Sequence, residues 1–111
     1  MKYLLMSVLE DNEYSNALLH DLAKKGFNAT VLNSTSLRHV LHSETADVPF
    51  FVSLNMLTRN GSFEGNTTIM LVLEQNDLET AQEIIRNMTD NFKKVRGGMF
   101  LIKLEEYEGS F

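Results

Sequence analysis

The apolar positions of the chain follow two periods, and the switches between them mark its elements. In Lys2 to Leu9, Leu4, Leu5, Met6, Val8 and Leu9 are apolar on both sides of the alternation, which predicts a strand covered on both faces. Glu10-Asp-Asn12 ends it and offers a helix cap. Tyr14, Leu18 and Leu22, with Ala17 and Leu19 beside them, then recur at helical spacing. Lys24, Lys25 and Gly26 close that helix, with cations in its last turn and a glycine where a left-handed residue is needed. Phe27 to Leu32 predicts a second strand.

Residues 33–65 break this rhythm, and a connection of that length inside a small domain is usually functional or disordered. Ser36 to His42 suits one helical turn, and Ser43 to Pro49 is polar and ends in the only proline. Phe50 to Thr58 alternates, with Val52, Leu54 and Met56 on one side, and Asn60-Gly61 after it is a strong hairpin signal. The expectation is a β-hairpin whose return arm leads from Ser62 into the third strand.

That third strand spans Thr67 to Leu73, with Ile69 to Leu73 apolar without a break. Asn76 and Glu79 have the spacing of a capping box. The second helix is expected over Asp77 to Asn91, with Leu78, Ala81, Ile85 and Met88 on its inner face and Gln82, Glu83 and Arg86 toward water. Phe92 to Gly98 reads as a loop, Met99 to Leu104 as a fourth strand, and Glu105 to Phe111 as an acidic tail ending in an aromatic.

The order β-α-β-loop-β-α-β predicts an α+β, ferredoxin-like βαββαβ fold: a four-stranded antiparallel sheet with two helices on one face, and residues 1–111 as a single domain. Strands 1, 3 and 4 are apolar at consecutive positions, so the sheet's other face also needs cover. The chain has no further element to supply it, which predicts a homo-oligomer with facing sheets.

Composition narrows the function classes. A chain of 111 residues, 43% hydrophobic and 23% charged, has the make-up of an ordinary globular domain. Its net charge of −5 argues against a nucleic-acid partner, and its lack of cysteine removes disulfides, thiol nucleophiles and thiolate metal sites. No apolar run reaches the ~18 residues of a membrane span, and the N-terminal run is too short for a signal peptide, so a cytoplasmic location is expected. On that basis the Asn-x-Ser/Thr matches at Asn28, Asn33, Asn60, Asn66 and Asn87 read as chance.

In its element order and in the long segment between strands 2 and 3, the chain resembles the PII-like signalling proteins, small ferredoxin-like subunits that form trimers. Gly26 to Leu32 and Gly65-Asn-Thr-Thr68 are similar to the branch of cyclic di-AMP receptors, where a Gly-Phe-Arg-Ala-Thr-Lys-Leu segment leads to Thr-Gly-Gly-Phe-Leu-Arg-x-Gly-Asn-Thr-Thr. Gly97-Gly98 before the last strand also fits. The arginine of the first segment is Asn28 here, and the second motif is split between Ser34-Thr-Ser36 and Ser62-Phe-Glu64. The nitrogen-regulatory branch carries a Gly-Asp-Gly-Lys motif whose lysine holds phosphates, where this chain has Met99. The tyrosine that branch modifies in its loop has no counterpart, because Tyr3, Tyr14 and Tyr107 lie outside 33–65.

The resemblance implies a homotrimer that binds a small effector, an adenine nucleotide or cyclic dinucleotide, between subunits. The implied contacts are Thr30, Gly65, Asn66, Thr67, Thr68, Lys94, Arg96, Gly97 and Gly98. Glycine permits close backbone approach, and amides and hydroxyls read a base or ribose. Lys93, Lys94 and Arg96 are cations for a phosphate over a glycine nest. The plainer alternatives are a bulge at Gly65 with ordinary strand threonines, and a solvated loop whose cations face a helix's negative end.

Segment 33–65 is expected to be the effector loop, with Phe50, Phe51, Leu54, Met56 and Leu57 meeting a target protein such as a membrane transporter or an enzyme. The competing readings are a ligandless trimeric interaction module, or a metal-binding trimer of the CutA kind using His39 and His42. Neither a catalytic constellation nor a cofactor motif is evident, so no enzyme activity is expected.

Overall fold

The computed structural model of the chain describes residues 1–35, 37 and 66–111. Its elements are β1 (Lys2–Leu9), α1 (Asn12–Lys24), β2 (Thr30–Ser34), β3 (Asn66–Glu74), α2 (Gln75–Thr89) and β4 (Gly97–Lys103). The strands form one sheet in the order β2-β3-β1-β4, every neighbouring pair antiparallel, which is the expected α+β ferredoxin-like topology. The expected hairpin around Asn60-Gly61, the loop residues Phe50, Phe51, Leu54, Met56 and Leu57, and His39 and His42 lie outside the described residues.

Strand alternation gives the sheet two unlike faces. Leu5, Ser7 and Leu9 of β1 and Ile69, Leu71 and Leu73 of β3 point one way and are buried. Leu18 and Leu22 of α1 and Ala81 and Ile85 of α2 join the leucines and isoleucine in one core, so the helices cover this face over its two central strands, while Val31 of β2 and Leu101 of β4 on the same side stay exposed. On the opposite face Leu4, Met6, Val8, Met70 and Val72 are only half-buried. Leu32, Phe100 and Ile102 share that face on the outer strands and are exposed by about half. The apolar second face seen in the sequence is therefore present, and among the described residues no helix or strand covers it.

Several boundaries differ from the sequence expectation, each for a local reason. Strand β2 begins at Thr30 rather than Phe27, because Phe27 belongs to the end of α1. Its N–H donates to Leu22 O (3.1 Å) and that of Gly26 to Ala23 O (3.0 Å), while Gly26 sits at φ +83°. This is a Schellman closure, and Phe27 completes it by packing on the core that holds Leu22. The strand then continues to Ser34, two residues past Leu32.

The expected capping box at Asn76 and Glu79 does not form. Helix α2 starts two residues before Asp77 with Glu74 as its cap residue, and that cap makes no side-chain hydrogen bond. Glu74 instead binds Lys2 Nζ (3.2 Å) and the N-terminal ammonium (3.6 Å). The Lys2 hydrogen bond and the two positive charges hold its carboxyl below the usual carboxylate range, partly opposed by desolvation. At α1 the cap is as expected, with Asp11 accepting from Glu13 N (2.8 Å) and Tyr14 N (3.2 Å).

Helix α2 ends at Thr89, two residues short of Asn91, and strand β4 covers Gly97–Lys103 rather than Met99–Leu104. After β4 the chain turns back: Leu104 N–H donates to Lys2 O (2.9 Å), and Lys2 Nζ lies 5.5 Å from the Tyr107 ring centre. Tyr107 meets Phe111 edge-on at 6.5 Å. Among the described residues, no helix is long and apolar enough to cross a membrane.

Candidate functional site

Apart from Thr30, the described residues picked out in the sequence gather at one end of the sheet, where β2 finishes and β3 begins. Strand pairing sets them in rows. Asn33, Thr67, Leu9 and Gly97 form one row, and Leu32, Thr68, Val8 and Gly98 the next. Alternation then separates Gly65-Asn-Thr-Thr68: Asn66 and Thr68 share the open face with Ser34, whereas Thr67 is buried on the helix side. Gly65 lies outside the described residues.

Thr68 Oγ1 is 2.8 Å from Ser34 Oγ, a cross-strand hydroxyl pair that ties β2 to β3. Asn66 is buried, and its Oδ1 has no hydrogen-bond partner among the described residues. A buried amide oxygen without a donor is costly in isolation, which makes Asn66 an acceptor awaiting either the adjoining segment or a ligand.

The other half of the site lies across β1. Gly97 has φ +155°, and a Cβ there would meet Val8 O at 2.0 Å, so only glycine lets β4 approach β1 this closely. Gly98 has open space around it, although buried Ser7 donates to its carbonyl (3.3 Å). Glu10 N–H extends the ladder to Arg96 O (2.9 Å), and the Arg96 Nε stands 3.9 Å from Glu10 Oε2. Arg96 is thereby partly neutralised, at an exposed position where such a pair contributes little to stability. Lys93, Lys94 and Arg96 surround a hollow of about 330 Å³ with Phe92 and Gly97. Lys94 also lines a groove between α1 and α2 with Tyr14, Lys24 and Met88.

A feature missed in the sequence sets the shape of this cationic loop. Asp90, Asn91 and Phe92 are left-handed in succession (φ +51°, +54° and +62°), a conformation costing L-residues roughly 1–2 kcal/mol each. Fully buried Thr89 holds them. Its hydroxyl donates to Ile85 O (2.8 Å) and accepts from Phe92 N (3.1 Å), and its carbonyl accepts from Lys93 and Lys94. The sequence signal was a threonine on the inner helix face, which passes for ordinary core.

Met99 packs against the core. Thr30 stands apart from the rest. It pairs with Met70, four residues along β2 from Ser34 and hence ~13 Å away. With Asn28 it opens into a separate cavity of about 280 Å³, floored by Leu4, Met70 and Val72 and closed by Ser110 and Phe111. Within one chain, β2 and β4 are also three strand spacings apart, ~14 Å. Thr30 and the Gly97–Gly98 loop therefore do not form one pocket in a single chain. No group of three or more metal-ligating side chains occurs among the described residues.

No protein-family model matches the sequence, and no curated protein sequence matches it. Solved structures do match in fold. A functionally unknown protein from Pediococcus pentosaceus superposes with a TM-score of 0.62 at 15% identity, covering 98% of this chain and 97% of that one. Arabidopsis thaliana PII bound to citrate gives 0.53 at 14% identity, covering 93% and 78%. A DUF3240 family protein from Shewanella baltica gives 0.52 at 6% identity, covering 98% and 97%. At such identities the likeness is one of fold, and the chain has a PII-like fold.

Proposed function

We propose that this chain is a PII-like trimeric signal-transduction protein rather than an enzyme. A small effector, an adenine nucleotide or a cyclic dinucleotide, binds in the clefts between subunits, and segment 33–65 carries the signal to a target protein. The observation that carries this reading is the spread of the candidate residues across an open sheet, from β2 and β3 at one side to β4 at the other. Ser34 and Thr30 lie on β2, and Arg96 to Gly98 on and beside β4, with an apolar face between them. Packing that face against further copies would bring the β2 edge of one subunit toward the β4 edge of the next, and a composite site follows. The orphaned Asn66 amide, next to the segment that would move, is a natural point of coupling. A ligand shifts the segment only if it binds one of its arrangements better than another.

A specific observation favours a second reading. The phosphate-binding lysine of the nitrogen-regulatory branch is replaced by Met99, which is turned into the core. That suits a ligandless interaction module, in which segment 33–65 is a fixed docking element. A thermal-shift panel of ATP, ADP, AMP and cyclic dinucleotides separates the two. A ligand at 100 times its dissociation constant adds about 2.7 kcal/mol if it binds only the native state. A shift with one of them supports the sensor, and no shift with any leaves the docking module.

A further inference from the structure

We propose that the groove between α1 and α2 is a docking site for a partner protein, and that it takes an acidic amphipathic helix of about three turns. The inference goes beyond the effector reading and does not depend on a nucleotide. In an assembly whose sheets face one another the helices stay on the outside, so this groove remains accessible to a partner.

The groove encloses about 550 Å³ and lies on the helix side of the sheet. Its α1 wall runs from Tyr14 to Lys25, a length of ~16 Å along the helix and its cap. Its floor is apolar. Tyr14, Ile84 and Met88 pack on the core from outside yet stay only partly buried. Two helices side by side present ridges and grooves into which a third can fit. A three-turn helix is ~16 Å long and ~10 Å across, on the order of 1,200 Å³, so the hollow receives its apolar stripe and leaves its polar side in water.

Charge specifies the partner. The chain has 15 acidic side chains against 10 Lys and Arg, but the groove reverses that balance. Lys24, Lys25 and Lys94 line it, with Asp21 as its one carboxylate. Glu83, next to Ile84, is exposed and lies outside the lining. Among the described residues no ion pair engages the three lysines. Their backbone is nonetheless fixed: Lys25 N–H donates to Leu22 O and Lys94 N–H to Thr89 O, both at 3.1 Å. Anchored cations around an apolar floor complement an apolar stripe flanked by Asp and Glu, and they repel a basic helix.

The test is a display selection on the full chain, using three-turn helices with a fixed apolar stripe and flanking positions drawn from Glu, Gln and Lys. Enrichment of Glu is expected. Enrichment of Lys or Gln, or the absence of any binder, overturns the proposal. The best Glu-rich peptide is then mapped by amide chemical shifts, which should move over residues 14–25 and 84–94, and shifts centred elsewhere overturn the site. By fluorescence anisotropy, Lys25→Glu should weaken that peptide by about 2- to 10-fold and Ile84→Ala by about 5-fold or more. Arg86→Glu makes the same charge change on α2 outside the groove and should leave binding as in the wild type. Equal losses for Lys25→Glu and Arg86→Glu reduce the effect to net charge and refute the groove. Vesicles of phosphatidylglycerol and phosphatidylcholine test a lipid surface instead: capture by them that Lys25→Glu abolishes, without peptide binding, assigns the groove to a membrane and refutes the helix.

Discussion

Gly97→Ala and Gly98→Ala should part sharply, although the sequence presents the two glycines as a pair. An alanine Cβ at Gly97 would stand 2.0 Å from Val8 O and 3.0 Å from Val8 C, where real Cβ contacts essentially never fall below 3.0 Å. The obstacle is backbone, so β4 must retreat from β1 by about 1 Å or more. That retreat strains the Leu9–Gly97 pairing and the Glu10 N–H to Arg96 O bond at the end of the ladder. Each hydrogen bond lost costs about 0.5–1.5 kcal/mol net, and forcing an L-residue to φ +155° costs ~1–3 kcal/mol. The sum for Gly97→Ala is roughly 2–5 kcal/mol, against a total stability of about 5–15 kcal/mol for a domain. A Cβ at Gly98 meets nothing within 4 Å, so that variant should lie within about ±0.5 kcal/mol of wild type. Urea unfolding followed by far-ultraviolet circular dichroism measures both, with a lowered midpoint at unchanged slope expected for Gly97→Ala alone. If the two variants unfold together, or Gly97→Ala matches wild type, the close β4–β1 approach is wrong. The Arg96 position derived from it then goes too.

Other outcomes probe separate parts of the molecule. Thr89→Val keeps the shape but leaves the Phe92 N–H without its acceptor, so it should cost ~1–3 kcal/mol in the same assay, with Thr89→Ser close to wild type. Glu74 has a folded pKa below its unfolded value, so its contribution is full above about pH 4.3 and fades as pH falls through the folded value. Melts of Glu74→Gln and wild type should accordingly converge in acid, and a constant gap at every pH would contradict the pairing with Lys2. Phe100→Asp, on the open face, should leave the chain folded but lower its sedimentation coefficient, whereas Leu71→Lys in the core should unfold it. A wild type that sediments as a monomer at micromolar concentration would defeat the facing-sheet assembly. On the proposed sensor reading, replacing 37–60 by a short glycine linker should leave the protein folded and its assembly state unchanged while abolishing target binding, and unfolding would assign that segment a structural role.

The sequence by itself determined the element order, the core and the oligomer argument, because these depend on periodicity, which is local. Leu18, Leu22, Ala81 and Ile85 repeat at helical spacing, and they are the helical residues that reach the core. Consecutive apolar residues in β1 and β3 signalled a second face seeking cover, and among the described residues no helix or strand covers that face. Local bonding already qualified this reading at the element ends. Phe27 looked like a strand residue, but the Schellman closure of α1 claimed it, since its N–H serves Leu22 first.

Tertiary structure decided what the candidate residues can reach. Gly65-Asn-Thr-Thr68 reads as one motif, yet strand alternation turns Thr67 into the core and Thr68 toward Ser34. The resemblance assigns Thr30 and Gly97-Gly98 to one cleft between subunits, and sheet order sets two strands between them within a single chain. Phe111 lies 107 residues from Leu4 in the chain, and only the return of the tail after β4 puts them around one cavity. Periodicity reports which face of an element is apolar. It carries no information on which distant element arrives there, because that depends on strand order and register across the whole sheet.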